Sequence, residues 1–257
     1  MDQQATYYIT QTLRILSIGL LLIVTSNSFA ASDFPLPENH QTIYDVTKYG
    51  TVVGEITNNF QYHGQQINFT SEAIATGFAA LFYKQTITET SQLYWPGDDT
   101  IKSPQQTSYT LQHTKKTKKD QKISFNWPTM NHVDISSSYK NKSVTLTAEK
   151  NVWSRQLLPI LMSSYLLKND KTTGDSFLTI DKNELENYAF TIVSHDSIDF
   201  DGKTQPCLKF KITSQGSSRF TYVWLAKSYD YLPLRIEQYK DDELNVSMTL
   251  KQYKRLK

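Results

Sequence analysis

The first candidates for a functional group in this chain are three carboxylates that precede a glycine. Asp196, Asp199 and Asp201 lie in the segment DSIDFDG, which ends at Gly202. Clustered carboxylates can bind Ca²⁺, but an EF-hand loop places its ligands at alternate positions, adds a glutamate after the glycine and lies between helices. Here the spacing differs and the flanking residues alternate as strand residues do. We therefore expect Asp201-Gly202 to be a hairpin turn, and we expect no metal site and no cofactor.

The histidines form a second set of reactive side chains, and they are scattered singly: His40, His63, His113, His132 and His195. None has a second histidine at the spacing of a zinc motif, so a zinc site or a Ser-His-Asp triad would have to be assembled at long range. The chain contains no Gly-x-Ser-x-Gly elbow, and the neighbouring His195 and Asp196 point to opposite faces of a strand. We expect no catalytic residues and no enzymatic activity, with a hydrolase as the less favoured alternative.

A lysine run is the only strong concentration of charge: Lys115, Lys116, Lys118 and Lys119. Such a run could contact phosphates or anionic lipid head groups. No aromatic or arginine pattern accompanies it, and lysines at the tip of a hairpin also keep a sheet edge from pairing. The net charge of +2 at pH 7 is too small to indicate nucleic acid. We expect a solvated loop and no nucleic-acid partner.

Aromatic residues are abundant, with 16 Tyr, 12 Phe and 4 Trp. Ordinary packing is the simpler interpretation, because aromatic side chains favour strands and dominate cores. The alternative is a curved sheet whose incompletely filled interior binds an apolar ligand, as the mouths of β-barrels do. The residues that we expect to line such a cavity are Trp153, Leu157, Leu161, Phe190, Phe210, Phe220, Tyr222 and Trp224.

The elements that must position these residues are mostly strands. Alternating patterns predict strands over 42–49, 52–62, 66–76, 86–95, 108–114, 121–127, 177–181, 188–195 and 206–213, and three more between 218 and 250. Turns are predicted at 96–99 and 240–243. Arg235 and Glu237 share one face of the strand before the second turn, where we expect them to pair. The segment 77–83 could be a helical turn or a bulge. One helix is predicted over Val152–Leu167, kinked or divided at Pro159. A sheet with one dry face is antiparallel and needs a cover, so we expect a large curved antiparallel sheet covered by one or two short helices.

The N-terminus has the pattern of a secretory signal peptide. Arg14 precedes an apolar run over 15–24, which is too short to span a bilayer of about 30 Å as a helix. Small residues at Ser28 and Ala30 place cleavage after Ala30, with Ala31 as the second choice; an uncleaved membrane anchor is the alternative. We therefore expect a signal peptide over 1–30 and a single β-rich domain over 31–257.

Cys207 is the only cysteine in the chain. One cysteine cannot form an internal disulfide, and none lies near the cleavage site to carry a bacterial lipid anchor. We expect Cys207 to be a small buried residue at the start of a strand rather than a reactive thiol.

The order of these segments resembles a bacterial family of exported proteins, domain of unknown function 3108. The likeness extends from about Thr42 to Tyr253, and the residues that carry it are Tyr44-Asp45-Val46, Gly54-Glu55, Ala75 to Phe82, Phe125-Asn126-Trp127, Glu186-Asn187-Tyr188, Tyr222 to Ala226 and Tyr231 to Glu237. The family carries an Asp-x-x-Ser element at the start of its central helix. Here Trp153-Ser154-Arg155-Gln156 stands in that place without the aspartate, so no role of that acid transfers.

The resemblance implies a periplasmic protein with a fold similar to the open half-barrels of lipoprotein carriers, a likeness that does not transfer function. It supplies no catalytic residues. We expect a non-catalytic envelope protein without a stable membrane span after cleavage, binding a hydrophobic small molecule or lipid. The alternative is an interaction or structural module that binds other envelope proteins through a sheet edge or the lysine hairpin.

Overall fold

The computed structural model describes residues 34–95, 103–168 and 174–256. These residues belong to one compact unit that spans Ser32–Lys257. The predicted signal peptide and its cleavage site lie outside the described residues, as does the turn predicted at 96–99.

The described strands form a single 15-stranded sheet. The first eight strands are β1 (His40–Lys48), β2 (Thr51–His63), β3 (Gln66–Ala75), β4 (Thr86–Tyr94), β5 (Gln105–His113), β6 (Gln121–Thr129), β7 (His132–Tyr139) and β8 (Lys142–Ala148). The other seven are β9 (Trp153–Ser154), β10 (Asp175–Asp181), β11 (Glu184–Phe200), β12 (Lys203–Ser214), β13 (Arg219–Ala226), β14 (Leu232–Lys240) and β15 (Glu243–Arg255). The predicted large antiparallel sheet is confirmed.

Strands that are consecutive in the sequence are paired in the sheet, except for β8 and β9. The first strand β1 pairs with the last strand β15, so β8 and β9 become the two edges. All the pairings of the described strands are antiparallel except that of β9 with β10. Register irregularities interrupt seven antiparallel pairings, and such bulges increase strand twist and bend the sheet.

Two-residue turns with positive φ at both positions explain the tightness of the hairpins. Asp201 and Gly202 (φ 54° and 69°) join β11 to β12, and Asp241 and Asp242 (φ 52° and 62°) join β14 to β15. These backbone angles match the right-handed twist of the flanking strands. Both turns were predicted from the sequence, and the first replaces the calcium-loop interpretation.

The sheet curls until its two ends meet through side chains rather than backbone. Ile180 of β10 packs in one buried cluster with Ile123, Val133 and Ile135 of β6 and β7. The Ser137 hydroxyl donates a hydrogen bond of 2.7 Å to the Asn183 side chain across this contact. The result is a barrel that is incompletely closed.

One helix, α2 (Leu158–Lys168), fills part of the interior of this curved sheet. It begins later than predicted, because Trp153-Ser154 forms β9 and Arg155–Leu157 forms a single 3-10 turn. Pro159 therefore lies in the first turn of α2, where no N–H is needed. The predicted segment is divided just before Pro159, into the 3-10 turn and α2. The helix is buried on nearly all sides, and the Ser163 hydroxyl donates to the Asp230 carbonyl at 2.6 Å.

A second, shorter helix answers the open question about residues 77–83. These residues form one helical turn, α1 (Ala79–Phe82), at the end of β3. Its apolar side chains project outward: Phe78 is 74% exposed and Phe82 is 68% exposed. They contact each other, with ring centroids 5.1 Å apart.

Candidate functional site

The space between α2 and the sheet is almost completely filled. The cavity beside Pro159 and Ile160 measures about 50 Å³. Ligand pockets run to about 300–1,000 Å³, so this space is far too small for a lipid or a drug-sized molecule.

Five of the residues predicted to line a cavity lie in this packed interior. Trp153, Leu157 and Leu161 share one buried cluster with aromatic side chains of β2 and β3. Phe190 and Phe210 belong to a second cluster that includes the α2 side chains Met162 and Leu166, and their ring centroids are 5.9 Å apart.

The other three predicted residues lie on the opposite face of the sheet. Val223 and Leu225 of β13 pack in the cluster that includes Met162 and Leu166, so the alternating Phe220, Tyr222 and Trp224 point away from the helix. The three rings therefore do not line a space beside the helix, but Phe220 borders the groove described below.

Lysine side chains cover this outer aromatic row. Lys209 Nζ lies 4.3 Å from the ring centroid of Tyr222 and 4.6 Å from that of Trp224. Lys211 Nζ lies 4.2 Å from the Phe220 ring. Arg235 and Glu237 of the adjacent strand pair at 3.3 Å, as their shared face predicted.

A groove of about 580 Å³, here called the main groove, lies along the described strands of the second half of the chain. One side is formed by inward-facing residues of β11 to β14, including Tyr188 and Thr221, and another by the loop 214–219. A side pocket of about 130 Å³ lies among residues of β4 to β7, including Glu89, Tyr109 and Gln121. Arg155, Asp181 and Lys182 border both spaces, so the two meet at these side chains.

A buried polar cluster fixes the segment that carries Arg155. Gln106 accepts a hydrogen bond of 2.6 Å from the Ser154 backbone N–H and donates to the Ser154 hydroxyl at 2.8 Å. On the other side of Arg155, the Gln156 amide donates to the Ser71 hydroxyl at 3.1 Å and to the Glu89 carbonyl at 3.2 Å. Because both neighbours are held in this way, the arginine backbone is fixed while its side chain extends into the groove.

Arg155 is the central charge of the site. Its side chain is 51% exposed, and its guanidinium lies 3.6 Å from the Asp181 carboxylate. Desolvation lowers the pKa of Arg155, but Asp181, Tyr188 and Glu89 outweigh it, so the pKa is raised and the charge is permanent. Burial raises the pKa of Tyr188 more than Arg155 lowers it, so this phenol stays protonated.

The side pocket contains a buried amide without a partner. Gln121 is 4% exposed, and its Nε2 finds no acceptor among the described residues. The carboxylate on the same wall is already engaged, because Tyr109 donates to Glu89 Oε2 at 2.7 Å. Burial and the nearby Glu89 raise the pKa of Tyr109, so it stays a donor.

The described histidines and clustered carboxylates do not form a metal site. No group of three or more His, Cys, Asp or Glu side chains is placed to hold a metal within the described ranges. His113 Nδ1 lies 3.0 Å from Asp120 at the border of the side pocket, while Asp196 accepts hydrogen bonds from Ser194 and Trp224. These two bonds hold the pKa of Asp196 below its ordinary value.

Arg155, Asp181 and Gln121 were not among the site residues predicted from the sequence. The available signal was the polar Ser-Arg-Gln run between an apolar Trp153 and an apolar helix, because polar side chains between buried residues need partners. Gln121 carried no such signal, since a glutamine that begins a strand is commonly exposed.

Taken together, the fold and the site define an incompletely closed antiparallel barrel with an internal helix and a polar groove beside it. The chain belongs to the protein family of unknown function DUF3108, whose family model matches residues 41–251. The resemblance inferred from the sequence is therefore confirmed.

One solved structure shares this fold, and two others are matched with lower structural similarity. A β-barrel-like protein of the domain of unknown function DUF1849 from Brucella abortus has a TM-score of 0.55 at 9% identity, covering 85% of this chain and 98% of that one. A candidate lipoprotein from Parabacteroides distasonis has a TM-score of 0.35 at 11% identity, covering 86% of this chain and 98% of that one. A candidate exported protein with a YmcC-like fold from Bacteroides fragilis has a TM-score of 0.33 at 9% identity with the same coverages. The comparison with curated proteins gave no match.

Within the described residues, no helix is both long enough and apolar enough to cross a bilayer.

Proposed function

We propose that this protein is a non-catalytic binding protein of the bacterial envelope that holds a polar ligand in the main groove. The observation that carries the proposal is the contrast between the groove of about 580 Å³ and the space of about 50 Å³ beside the helix. Only the groove falls in the size range of ligand pockets.

The hydrophobic ligand or lipid that the aromatic content suggested fits this geometry less well. Beside α2 it would have to displace packed side chains such as Leu161, which is 2% exposed. In the groove it would meet hydroxyl, amide and charged side chains, including Ser217, Thr221 and Gln238. Leaving such groups without partners next to an apolar molecule is unfavourable, so a polar ligand is the better match.

The chemistry of the site supports a binding role rather than catalysis. The described residues that line the side pocket include no serine, threonine or cysteine to act as a nucleophile. The main groove is lined by hydroxyl side chains such as Ser217 and Thr221, but no described histidine lines it to act as their base. Its carboxylates are engaged, Glu89 by Tyr109 and Asp181 by Arg155 and Lys182. The location in the periplasm rests on the signal-peptide pattern of residues 1–30.

Native mass spectrometry of the protein purified from the envelope tests this proposal. We expect the wild type to carry a bound polar molecule, and Thr221→Trp, which fills the groove, to lose it. Thr145→Trp, on the exposed side of β8, is the matched control and should keep it. The proposal fails if the wild type carries nothing, or if both variants retain the same molecule.

An interaction module is the second candidate, favoured by the exposed apolar turn around α1. Four large side chains project there: Phe78, Leu81, Phe82 and Tyr83, each more than half exposed. Apolar groups concentrated in this way commonly mark a contact surface. The lysine hairpin, which carries Lys115 to Lys119, is a second candidate contact surface. Thr117–Lys119 forms an exposed 3-10 turn there.

Cross-linking of the whole protein in cells separates these two surfaces. If α1 is the contact surface, the double replacement Phe78→Asp and Phe82→Asp removes a specific cross-linked partner. Val193→Asp, at an exposed position of β11, is the control and should leave the partner in place. Alanine replacements from Lys115 to Lys119 test the hairpin, and the interaction proposal fails if none of these changes alters the cross-links.

A further inference from the structure

The side pocket is chemically different from the main groove that it adjoins. Lys119, Arg155 and Lys182 border it, against the carboxylates of Glu89 and Asp181. Both acids already accept hydrogen bonds or ion pairs from the protein, at 2.7 Å from Tyr109 and at 3.5–3.6 Å from Lys182 and Arg155. Positive charge and unused donors therefore predominate in this pocket.

Gln121 provides an independent indication of a ligand. A buried amide N–H without an acceptor loses its hydrogen bonds to water and gains none from the protein, so proteins rarely leave one unpaired. Gln121 Nε2 is such a group, and it borders a pocket of about 130 Å³. An acceptor atom of a bound molecule would complete its hydrogen bonding.

Arg155 makes the nature of that acceptor more specific. A guanidinium has five N–H donors, and Arg155 contacts the Asp181 carboxylate only at 3.6 Å, longer than a close charge-assisted pair. It can therefore bind a second anionic group without giving up this contact. A carboxylate or a phosphate presents several acceptor oxygens and suits the combination of a guanidinium, an ammonium and an amide.

We propose that the side pocket binds the anionic head, a carboxylate or a phosphate, of the molecule whose polar remainder lies in the main groove. This assignment rests on the proposed function and deepens it by naming a chemical group. Gln121 and Arg155 are the binding residues, and Lys182 adds a more exposed positive charge.

The side-chain amide signal of Gln121 in the ¹⁵N-labelled protein gives a direct test. We identify the signal by its loss in Gln121→Met and titrate the wild type with inorganic phosphate, with acetate and with chloride at matched ionic strength. Phosphate or acetate should shift the signal in a saturable way and chloride should not. The anion with the larger effect distinguishes a phosphate from a carboxylate ligand.

Variants of the two cations decide whether the anion occupies this pocket. Arg155→Met should weaken the anion's apparent affinity about tenfold or more, the effect of losing one charge-assisted hydrogen bond. Lys182→Gln, at a half-exposed turn position, should weaken the anion's affinity less. It replaces the Arg155 variant in this test if that variant does not fold. Lys240→Gln is the control and should leave the affinity unchanged.

The inference is overturned if neither anion shifts the Gln121 signal, or if the shift is the same in the Lys182 and Arg155 variants as in the wild type. If the native molecule is nevertheless lost in Thr221→Trp, only the assignment of the anionic head fails. If native mass spectrometry finds no bound molecule but phosphate or acetate shifts the Gln121 signal, the anion site in the side pocket is supported. The proposal that the main groove holds a ligand then fails.

Discussion

Gln106 makes four side-chain hydrogen bonds while being fully buried, and it shows how single residues build the site. Its amide bonds to Ser91, to the Ser108 carbonyl and twice to Ser154. These bonds join β4 and β5 to β9, directly before Arg155. A buried polar group is tolerated when it is satisfied in this way, and it then specifies one arrangement.

We predict that Gln106→Leu lowers the free energy of unfolding by about 1–3 kcal/mol or more, because the buried Ser154 N–H and hydroxyls lose their partner. Urea unfolding measures the change. Gln112→Leu, at an exposed position of β5, is the control and should stay within about 0.5 kcal/mol of the wild type. Equal stability of the two variants would show that the polar cluster does not hold the segment.

A second residue-scale prediction concerns Cys207, which is 3% exposed. Burial, with a smaller contribution from the Asp196 carboxylate, raises the pKa of its thiol to about 11. The contribution of the neutral Cys207 thiol to the stability of the folded state is therefore fully present below the ordinary thiol pKa. This contribution is lost as the pH rises through about 11. We expect negligible modification by a disulfide reagent at pH 8 in the native protein and complete modification in guanidinium; rapid native modification would contradict the burial.

At the scale of elements, α2 lies inside the curved sheet and packs against its inner face, rather than lying on one outer face of the sheet. Leu157, Leu161 and Met162 are among the largest fully buried side chains, and they contact both clusters that line the interior. The helix is polar at Ser163 and Ser164, but both hydroxyls donate to backbone carbonyls. Its stability therefore depends on packing inside the sheet.

We expect Leu161→Ala to destabilise the protein by about 2–5 kcal/mol, because it leaves a cavity in a closely packed site. The matched control is Leu81→Ala in α1, where the leucine is 66% exposed and the cost should be about 0.5 kcal/mol or less. Chemical denaturation followed by tryptophan fluorescence gives both values. A small effect at Leu161 would indicate a loosely held helix and an adaptable interior.

The sequence predicted most of the described strands, because period-two alternation and the Asp201-Gly202 and Asp241-Asp242 turns are local signals. The strands β7, β8 and the two-residue β9 were not predicted. The orientation of β13 was not predicted correctly, for a physical reason. Tyr222 and Trp224 are large side chains that can be buried, as are Val223 and Leu225, so alternation alone cannot tell which set faces the helix. The decision depends on the neighbouring strand, where Lys209 shares the face of Trp224.

At the scale of the whole molecule, the groove exists because the sheet curls far enough to bring distant segments together. Its central residues come from β6, from the turn before α2 and from the end of β10. Gln121, Arg155 and Asp181 are far apart in the sequence, and no local pattern links them. The fold could therefore be predicted, whereas the site required the three-dimensional arrangement.

The central claim is that the ligand lies in the groove beside Arg155 and not between the helix and the sheet. The most direct measurement is the electron density in crystals of the protein purified, without refolding, from the organism that produces it. We predict continuous density in the main groove that reaches Arg155 and Gln121, with α2 packed as described. Density that separates α2 from the sheet, with only water in the groove, would contradict this account.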